Sequence, residues 1–230
     1  MKRKYEKKVI PRLLDNKEFF IRHLRQEWAE AEKATKREDM VRAAKAGGIA
    51  FGKGLLTLLL VAGTLTVAAA APNIFSAFGR MRGRRIYRTY MHSGYFQREL
   101  AVLKKQNFVS ASKINKNEYE IGLTKLGEER AIQRAYNTFT ILRPALWDGT
   151  WRIIVFDIPD THKSAREGFR EKLKAIGFYS LQRSVFVFPY PCIEELEFII
   201  SLYGVGEYVR LIEANHIVYD DDIRKYFAFN

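Results

Sequence analysis

Apolar residues recur with two different periods between Trp151 and Phe188, and the change of period marks the predicted elements. Trp151–Ile158 is a short run rich in β-branched and aromatic residues, closed by Pro159, which is typical of a buried strand. The run Leu181–Phe188 has the same character and predicts a second strand. Between them, apolar residues at helical spacing and a terminal glycine predict a helix: Ala165, Phe169, Leu173, Ile176 and Gly177.

The same alternation of elements continues after Phe188. Cys192–Tyr203 has apolar residues at helical spacing and is followed by Gly204, which predicts a second helix, and Tyr208–Ile212 predicts a further strand. The pattern is βαββαβ-like and predicts an α+β fold of the ferredoxin-like kind. Two helices would cover one face of the sheet, so the other face, with its aromatic residues, is expected to be free for a partner.

Three segments of this half of the chain resemble a known family. They read W-R-I-I-V-F-D-I-P-D, A-R-E-G-F-R-E-K-L-K-A-I-G-F and L-Q-R-S-V-F-V-F-P, and they are similar to the central domain of PaaX-type transcriptional repressors. The resemblance covers residues 147–217 and leaves residues 218–230 as a tail. The PaaX domain is in turn similar to the small ferredoxin-like endonuclease subunit of CRISPR adaptation complexes. Both families have an aspartate at the position of Asp157, at the end of the first strand.

Residues 1–50 are predicted to form a charged helical arm. They are dense in charged side chains, and apolar residues between Leu13 and Trp28 recur at partly helical intervals. Oppositely charged residues between Glu30 and Arg37 are spaced to form ion pairs within a helix. One long exposed helix, or two, is therefore expected here.

An uncharged run from Gly54 to Gly79 follows the arm and supports two interpretations. Its length would suffice to span a bilayer, which takes about 20 residues, and residues 54–72 would then tether the protein to a membrane. Threonines and small residues lower its hydrophobicity and both flanks are basic, which favours apolar helices buried in protein, the first being Lys53–Ala70. A cytoplasmic protein is expected, with membrane tethering as the alternative.

Residues 51–140 are predicted to form a winged helix-turn-helix domain. Phe96, Leu100 and Leu103 fall on one face of a helix. The other face carries polar or small residues: Gln97, Arg98, Ala101, Lys104 and Lys105. Arg98 can bond guanine and Gln97 adenine in bidentate fashion, which suits this face to the major groove of DNA. An ordinary solvated helix surface is the alternative.

A hairpin is predicted directly after this helix. Its strands are Phe108–Ile114 and Glu118–Leu123, and residues 115–117 form the turn. Lys113 and Lys116 lie where the wing of such a domain would meet phosphates. Five arginines precede the helix and are suited to contacts with the DNA backbone: Arg80, Arg82, Arg84, Arg85 and Arg88.

Charge is unevenly distributed along the chain, whose net charge is +13. Residues 1–45 carry 14 basic and 8 acidic side chains and residues 73–135 carry 13 and 5, whereas residues 147–230 carry 10 and 13. The basic field therefore belongs to the N-terminal half, which is expected to hold a polyanion. The C-terminal half is closer to neutral and is expected to form a homodimer.

Two classes of function follow from these patterns. The first, which we favour, is a PaaX-like repressor that binds double-stranded DNA as a dimer and needs no cofactor. The second is a CRISPR-associated subunit with Asp157 at the dimer axis, acting as a non-catalytic DNA bridge or as a nuclease. In the nuclease, Asp157 would be the catalytic residue and would hold Mg²⁺ or Mn²⁺. Cys192 is the only cysteine, which excludes an intrachain disulfide and a cysteine-based metal site.

Overall fold

The computed structural model describes residues 2–34, 50–68, 95–115, 118–144 and 146–229. The chain divides into two compact units, and its first helix belongs to the same unit as its C-terminal part. The C-terminal unit combines residues 1–15 with residues 138–230, and the N-terminal unit consists of residues 16–137. Both units contain helices and antiparallel strands, which confirms the predicted α+β class.

The described helices are α1 (Lys2–Asp15), α2 (Lys17–Ala34), α3 (Ala50–Ala62), α4 (Tyr95–Lys105), α5 (Lys125–Thr138), α6 (Lys163–Ala175), α7 (Ile193–Tyr203) and α8 (Asp221–Phe227). The described strands are β1 (Thr64–Ala68), β2 (Val109–Asn115), β3 (Glu118–Leu123), β4 (Trp151–Phe156), β5 (Tyr179–Gln182), β6 (Val185–Phe188) and β7 (Val209–Ala214). Short 3₁₀ turns precede α6 and β7.

The N-terminal unit contains a three-stranded antiparallel sheet in the order β1-β3-β2. Thr64 lies opposite Gly122 in one pair of strands, and Val109 lies opposite Leu123 in the other. The core of the unit is formed by apolar side chains of the helices and the sheet: Phe20, Leu24, Leu55, Leu56, Leu59, Leu60, Leu103, Val109, Ile121 and Ile132. The predicted hairpin is therefore confirmed, and a third strand extends it.

The uncharged run is partly helix and partly strand. Four leucines of α3 are buried, in agreement with burial in protein, but the helix ends at Ala62 and the predicted continuation to Ala70 is wrong. Gly63 adopts a left-handed conformation (φ +79°), and the β-branched Thr64 begins a strand that pairs with β3. Residues 69–79 lie outside the described part of the chain. Within the described part, no helix has the length and apolarity that crossing a bilayer requires.

The C-terminal unit contains a four-stranded antiparallel sheet in the order β5-β6-β4-β7. Helices α6 and α7 pack on one face, where the ring of Phe156 contacts that of Phe169 at 5.3 Å between centroids. The run Leu181–Phe188 was predicted as one strand, but it turns at Arg183 and Ser184 and contributes to both β5 and β6. This turn contains neither glycine nor proline, so Ser184 is the sole and weak turn signal in these two residues.

Helix α1 packs against α6 and α7 of the C-terminal unit. Val9 and Leu13 are buried, and the Arg12 guanidinium donates a hydrogen bond to the carbonyl of Leu202 in the last turn of α7 at 2.9 Å. A cation at a helix C-terminus interacts favourably with the carbonyls that end there. This part of the predicted exposed arm is therefore integrated into a core.

The opposite face of the sheet is covered in part by the C-terminal residues, although the sequence predicted it to be free. Trp151 and Val187 are fully buried beneath Ile223 of α8. Trp147 stacks on Phe229 with ring centroids 4.8 Å apart. Ile212, on the edge strand β7, remains 48% exposed. Residues 221–229 therefore pack on the sheet and do not form a separate tail.

Candidate nucleic-acid interface

Helix α4 and the hairpin that follows it are joined by a tight connection. Asn107 adopts a left-handed conformation (φ +57°), which asparagine tolerates better than most residues, and it ends the helix. The backbone N–H of Phe108 donates to the carbonyl of Leu103 at 2.9 Å, so the chain turns directly into β2. Leu103 itself is buried. The orientation of the hairpin is thus fixed by the end of α4.

Thr124, which directly precedes α5, forms hydrogen bonds to the base of the hairpin. Its N–H donates to the carbonyl of Phe108 at 3.1 Å and its hydroxyl donates to the carbonyl of Asn107 at 2.5 Å. The same hydroxyl oxygen accepts the N–H of Gly127 at 3.0 Å and so caps α5. A Cβ at Gly127 would lie 1.7 Å from the Phe108 carbonyl oxygen, so only glycine fits this close approach.

Three of the predicted DNA-binding lysines are exposed on these elements. Lys104 and Lys105 lie in the last turn of α4, and Lys113 lies on β2 opposite Tyr119. An exposed ammonium group on a flexible stem is well suited to phosphate contacts. The helix end and the hairpin therefore both present positive charge to solvent.

The remaining predicted positions are described less completely or not at all. Gln97 and Arg98 have helical backbone within α4. Six basic residues lie outside the described part of the chain: Arg80, Arg82, Arg84, Arg85, Arg88 and Lys116.

Helix α4 also presents two apolar side chains to which the sequence analysis assigned no contact of their own with DNA. Ala101 is exposed, and Val102 retains 45% of its accessible surface. The sequence pattern does not reveal this exposure, because the neighbouring apolar residue Leu103 is buried.

Asp157 is exposed just after β4, and its backbone N–H donates to the carbonyl of Tyr208 at 3.1 Å. The neighbouring Asp160 is bound by Arg166 at 2.6 Å, and this guanidinium also donates to the carbonyl of Ile158 at 2.8 Å. The hydrogen bond from Arg166 holds the pKa of Asp160 below its ordinary value. In the described ranges, no group of three or more His, Cys, Asp or Glu side chains is arranged to hold a metal ion.

Arg152 organises the sheet of the C-terminal unit. It is 6% exposed and donates to both carboxylate oxygens of Asp148, at 2.7 and 2.6 Å, and to the carbonyl of Pro189 at 3.0 Å. The bidentate pair lowers the pKa of Asp148. A charged residue inside an apolar strand is the sequence signal for such a buried network, but its partners are brought together only by the fold.

Comparison with protein families gives a match in the C-terminal part of the chain. Residues 144–225 match the family described as PaaX protein central Cas2-like domain, and the match reaches into α8. Among curated proteins no match to the chain was found. The predicted resemblance is confirmed: this segment of the C-terminal unit is similar to the central domain of PaaX-type proteins.

Proposed function

We propose that this protein is a PaaX-like transcriptional regulator that binds duplex DNA as a homodimer. The observation that carries the proposal is the combination of a PaaX-type domain with a second unit in which a helix and a hairpin expose lysines. DNA-binding regulators combine a module that reads the groove with a module that sets dimer spacing. In this proposal the N-terminal unit reads the groove and the C-terminal unit sets the dimer spacing.

The element order of the N-terminal unit supports a winged helix. Its described elements run helix, strand, helix, hairpin and helix from α3 to α5, and β1 pairs beside the hairpin in a three-stranded sheet. In this interpretation α4 is the recognition helix and the β2–β3 hairpin is the wing. Gln97 and Arg98 would contact base edges. Phosphates would be contacted by four lysines: Lys104, Lys105, Lys113 and Lys116, the last of which lies outside the described residues.

The strand order of the C-terminal unit supports a ferredoxin-like fold. Its βαββαβ elements form an antiparallel sheet in which the first strand, β4, lies between the third strand and the last. Dimerisation through this unit is supported by its charge, which is closer to neutral: residues 147–230 carry 10 basic and 13 acidic side chains. A two-fold axis would present two recognition helices to a palindromic site.

The test is a titration of the full chain with labelled duplex DNA at several salt concentrations. Joint substitution of Lys104 and Lys105 by alanine should weaken binding to all duplexes. It should also reduce the slope of log affinity against log salt by about 0.9 for each phosphate that is no longer neutralised. Lys163→Ala, an exposed lysine of the C-terminal unit, is the matched control and should leave the slope unchanged. Absence of duplex binding, or equal effects of both changes, would overturn the proposal.

A metal-dependent nuclease is the competing function, and the exposed Asp157 at a strand end is the observation that favours it. In that case Asp157 would hold Mg²⁺ or Mn²⁺. Because Asp160 is bound by Arg166, it would have to exchange this partner before it could act as a second ligand. Metal-dependent cleavage of DNA that Asp157→Ala abolishes, while the exposed Asp221→Ala preserves it, would establish the nuclease and remove the regulator-only account.

A further inference from the structure

The exposed face of α4 carries two adjacent apolar side chains among lysines. Ala101 is exposed and Val102 is 45% exposed, while Leu103, the next residue, is buried at 6%. Lys104 and Lys105 follow directly and are exposed. Single exposed apolar residues are common on protein surfaces, so exposure alone says little. The position of Ala101 and Val102 within the helix is the observation that suggests a role in binding.

Helical spacing places the pair on the same face as the predicted base-reading positions. Residues 101 and 102 follow residues 97 and 98 by four positions, and Lys105 follows Ala101 by four. Four residues correspond to about 6 Å along the helix axis, or about two base-pair steps of 3.4 Å. The pair would therefore meet the groove about two base pairs from the base that Arg98 or Gln97 contacts.

We propose that Ala101 and Val102 read the 5-methyl group of thymine in the major groove, an inference that rests on the proposed DNA-binding function. Among the features by which natural bases are distinguished in that groove, the thymine methyl is the apolar one, and alanine-like side chains contact it. Neither residue can donate or accept a hydrogen bond through its side chain. Small side chains also allow the helix to approach the bases closely. The preferred operator should therefore contain a thymine at a fixed offset from the base that Arg98 or Gln97 contacts.

The experiment uses deoxyuridine, which lacks only this methyl group. A preferred duplex is first selected from random sequence with the full chain, and each thymine is then replaced singly by deoxyuridine. Burial of one methyl group corresponds to about a fourfold change in affinity, so we expect roughly a three- to tenfold weakening at one or two positions and none elsewhere.

Substitutions in α4 test whether this helix causes the sensitivity to deoxyuridine. Val102→Ser should bind thymine and deoxyuridine duplexes equally at the sensitive position, with an unchanged salt slope, because the phosphate contacts remain. Leu126→Ala is the matched control, since Leu126 is equally exposed (46%) and lies on α5 of the same unit. This control should keep the sensitivity to deoxyuridine. Ala101→Ser provides a second test should Val102→Ser prove unstable in thermal unfolding.

The outcomes separate the two proposals. If the full chain binds no duplex, the proposed function fails. If it binds but every deoxyuridine substitution is neutral, the function stands and the reading of the methyl group is overturned. Sensitivity that persists unchanged in both Val102→Ser and Ala101→Ser would also overturn it, because the methyl group would then be read by other residues.

Discussion

The hydroxyl of Tyr179 donates a hydrogen bond of 2.6 Å to the carboxylate of Asp222, and this bond joins the edge strand β5 to the C-terminal helix α8. It lowers the pKa of Asp222 and raises that of Tyr179, since it stabilises the charged carboxylate and the neutral phenol. The ring of Tyr179 also contacts that of Tyr226 at 5.2 Å. The C-terminal residues are thus attached to the sheet by a polar bond as well as by apolar packing.

We expect Tyr179→Phe to loosen α8 without unfolding the unit, because the phenylalanine ring keeps the packing and cannot form the bond to Asp222. Hydrogen exchange at residues 223–229 should become faster in the variant at neutral pH. Since the folded pKa of Asp222 lies below the ordinary 3.8, the bond's contribution is present above pH 3.8 and is lost as the pH falls through the folded value. The difference between variant and parent should therefore vanish in acid. Equal exchange rates at pH 7 would contradict this.

Arg152→Ala should lower the free energy of unfolding by about 2–4 kcal/mol, because it leaves the buried carbonyl oxygen of Pro189 without this donor and removes the partner of Asp148. Denaturant unfolding measures the change. Lys174→Ala is the control, since its pair with Glu171 is exposed on both sides and should contribute less than about 0.5 kcal/mol. A small effect at Arg152 would mean that water replaces its hydrogen bonds.

Because of Lys172, the free energy of unfolding of the C-terminal unit should rise as the solution becomes alkaline. Burial lowers its pKa from 10.5 to about 8, and its ammonium group lies 5.3 Å from the centre of the Phe139 ring. Between pH 8 and pH 10.5 the unfolded lysine remains protonated while the folded one releases its proton, so the free energy of unfolding increases with pH in this window. Lys172→Met should abolish the rise and stabilise the protein at pH 7 by about 1–3 kcal/mol.

Denaturant titrations at pH 7 and pH 10 measure this effect, and Lys174→Met is the control for the removal of a lysine from the same helix. Lys174 is exposed, so its replacement should change stability by less than about 0.5 kcal/mol. A parent protein whose stability does not rise over this interval would show that the ammonium group of Lys172 is solvated.

Gly127→Ala should disrupt the base of the hairpin, because its Cβ would lie 1.7 Å from the carbonyl oxygen of Phe108. We expect the free energy of unfolding to fall by about 3 kcal/mol, measured by thermal unfolding of the full chain. Gly122→Ala is the matched control within the same unit, since a Cβ there would lie 3.4 Å from the Thr64 methyl group, an ordinary contact. Similar stability of the two variants would show that α5 can shift away from the hairpin at low cost.

The thiol of Cys192 should be inert in the native protein. It is 1% exposed, and burial raises its pKa to about 12, so almost no thiolate forms near neutral pH. Alkylation by iodoacetamide at pH 8 should be slow in buffer and fast in denaturant, as followed by mass spectrometry. Rapid modification in buffer would indicate that the segment around Cys192 opens frequently.

The sequence predicted those elements whose signals are local. Strand β4 and helices α6 and α7 were found because continuous apolar runs, helical spacing and the terminal glycines Gly177 and Gly204 each act within a few residues. The hairpin between β2 and β3 was found for the same reason. Of the proposed site, Lys104, Lys105 and Lys113 were predicted from residue type and spacing, and all three are exposed.

What could not be predicted depends on contacts between distant segments. Gly63 and the β-branched Thr64 are local signals at the end of the apolar helix, but the strand that follows exists only by pairing with β3, a distant segment. The packing of Val9 and Leu13 on α6 and α7, and of Ile223 on the sheet, follows from three-dimensional complementarity that a periodic pattern does not encode. The exposure of Val102 is equally a product of packing, since Leu103 beside it is buried.

The hydrogen bond between Arg12 and Leu202 has a consequence for synthesis on the ribosome. The two residues are separated by 190 positions, so α1 leaves the exit tunnel long before the helix that it packs on. At about 5–20 residues per second, this interval lasts roughly 10–40 s. Throughout that time Val9 and Leu13 lack their native neighbours, while the N-terminal unit can already fold behind them. Nascent chains stalled before α7 should therefore expose α1 to chaperones that bind unburied apolar segments.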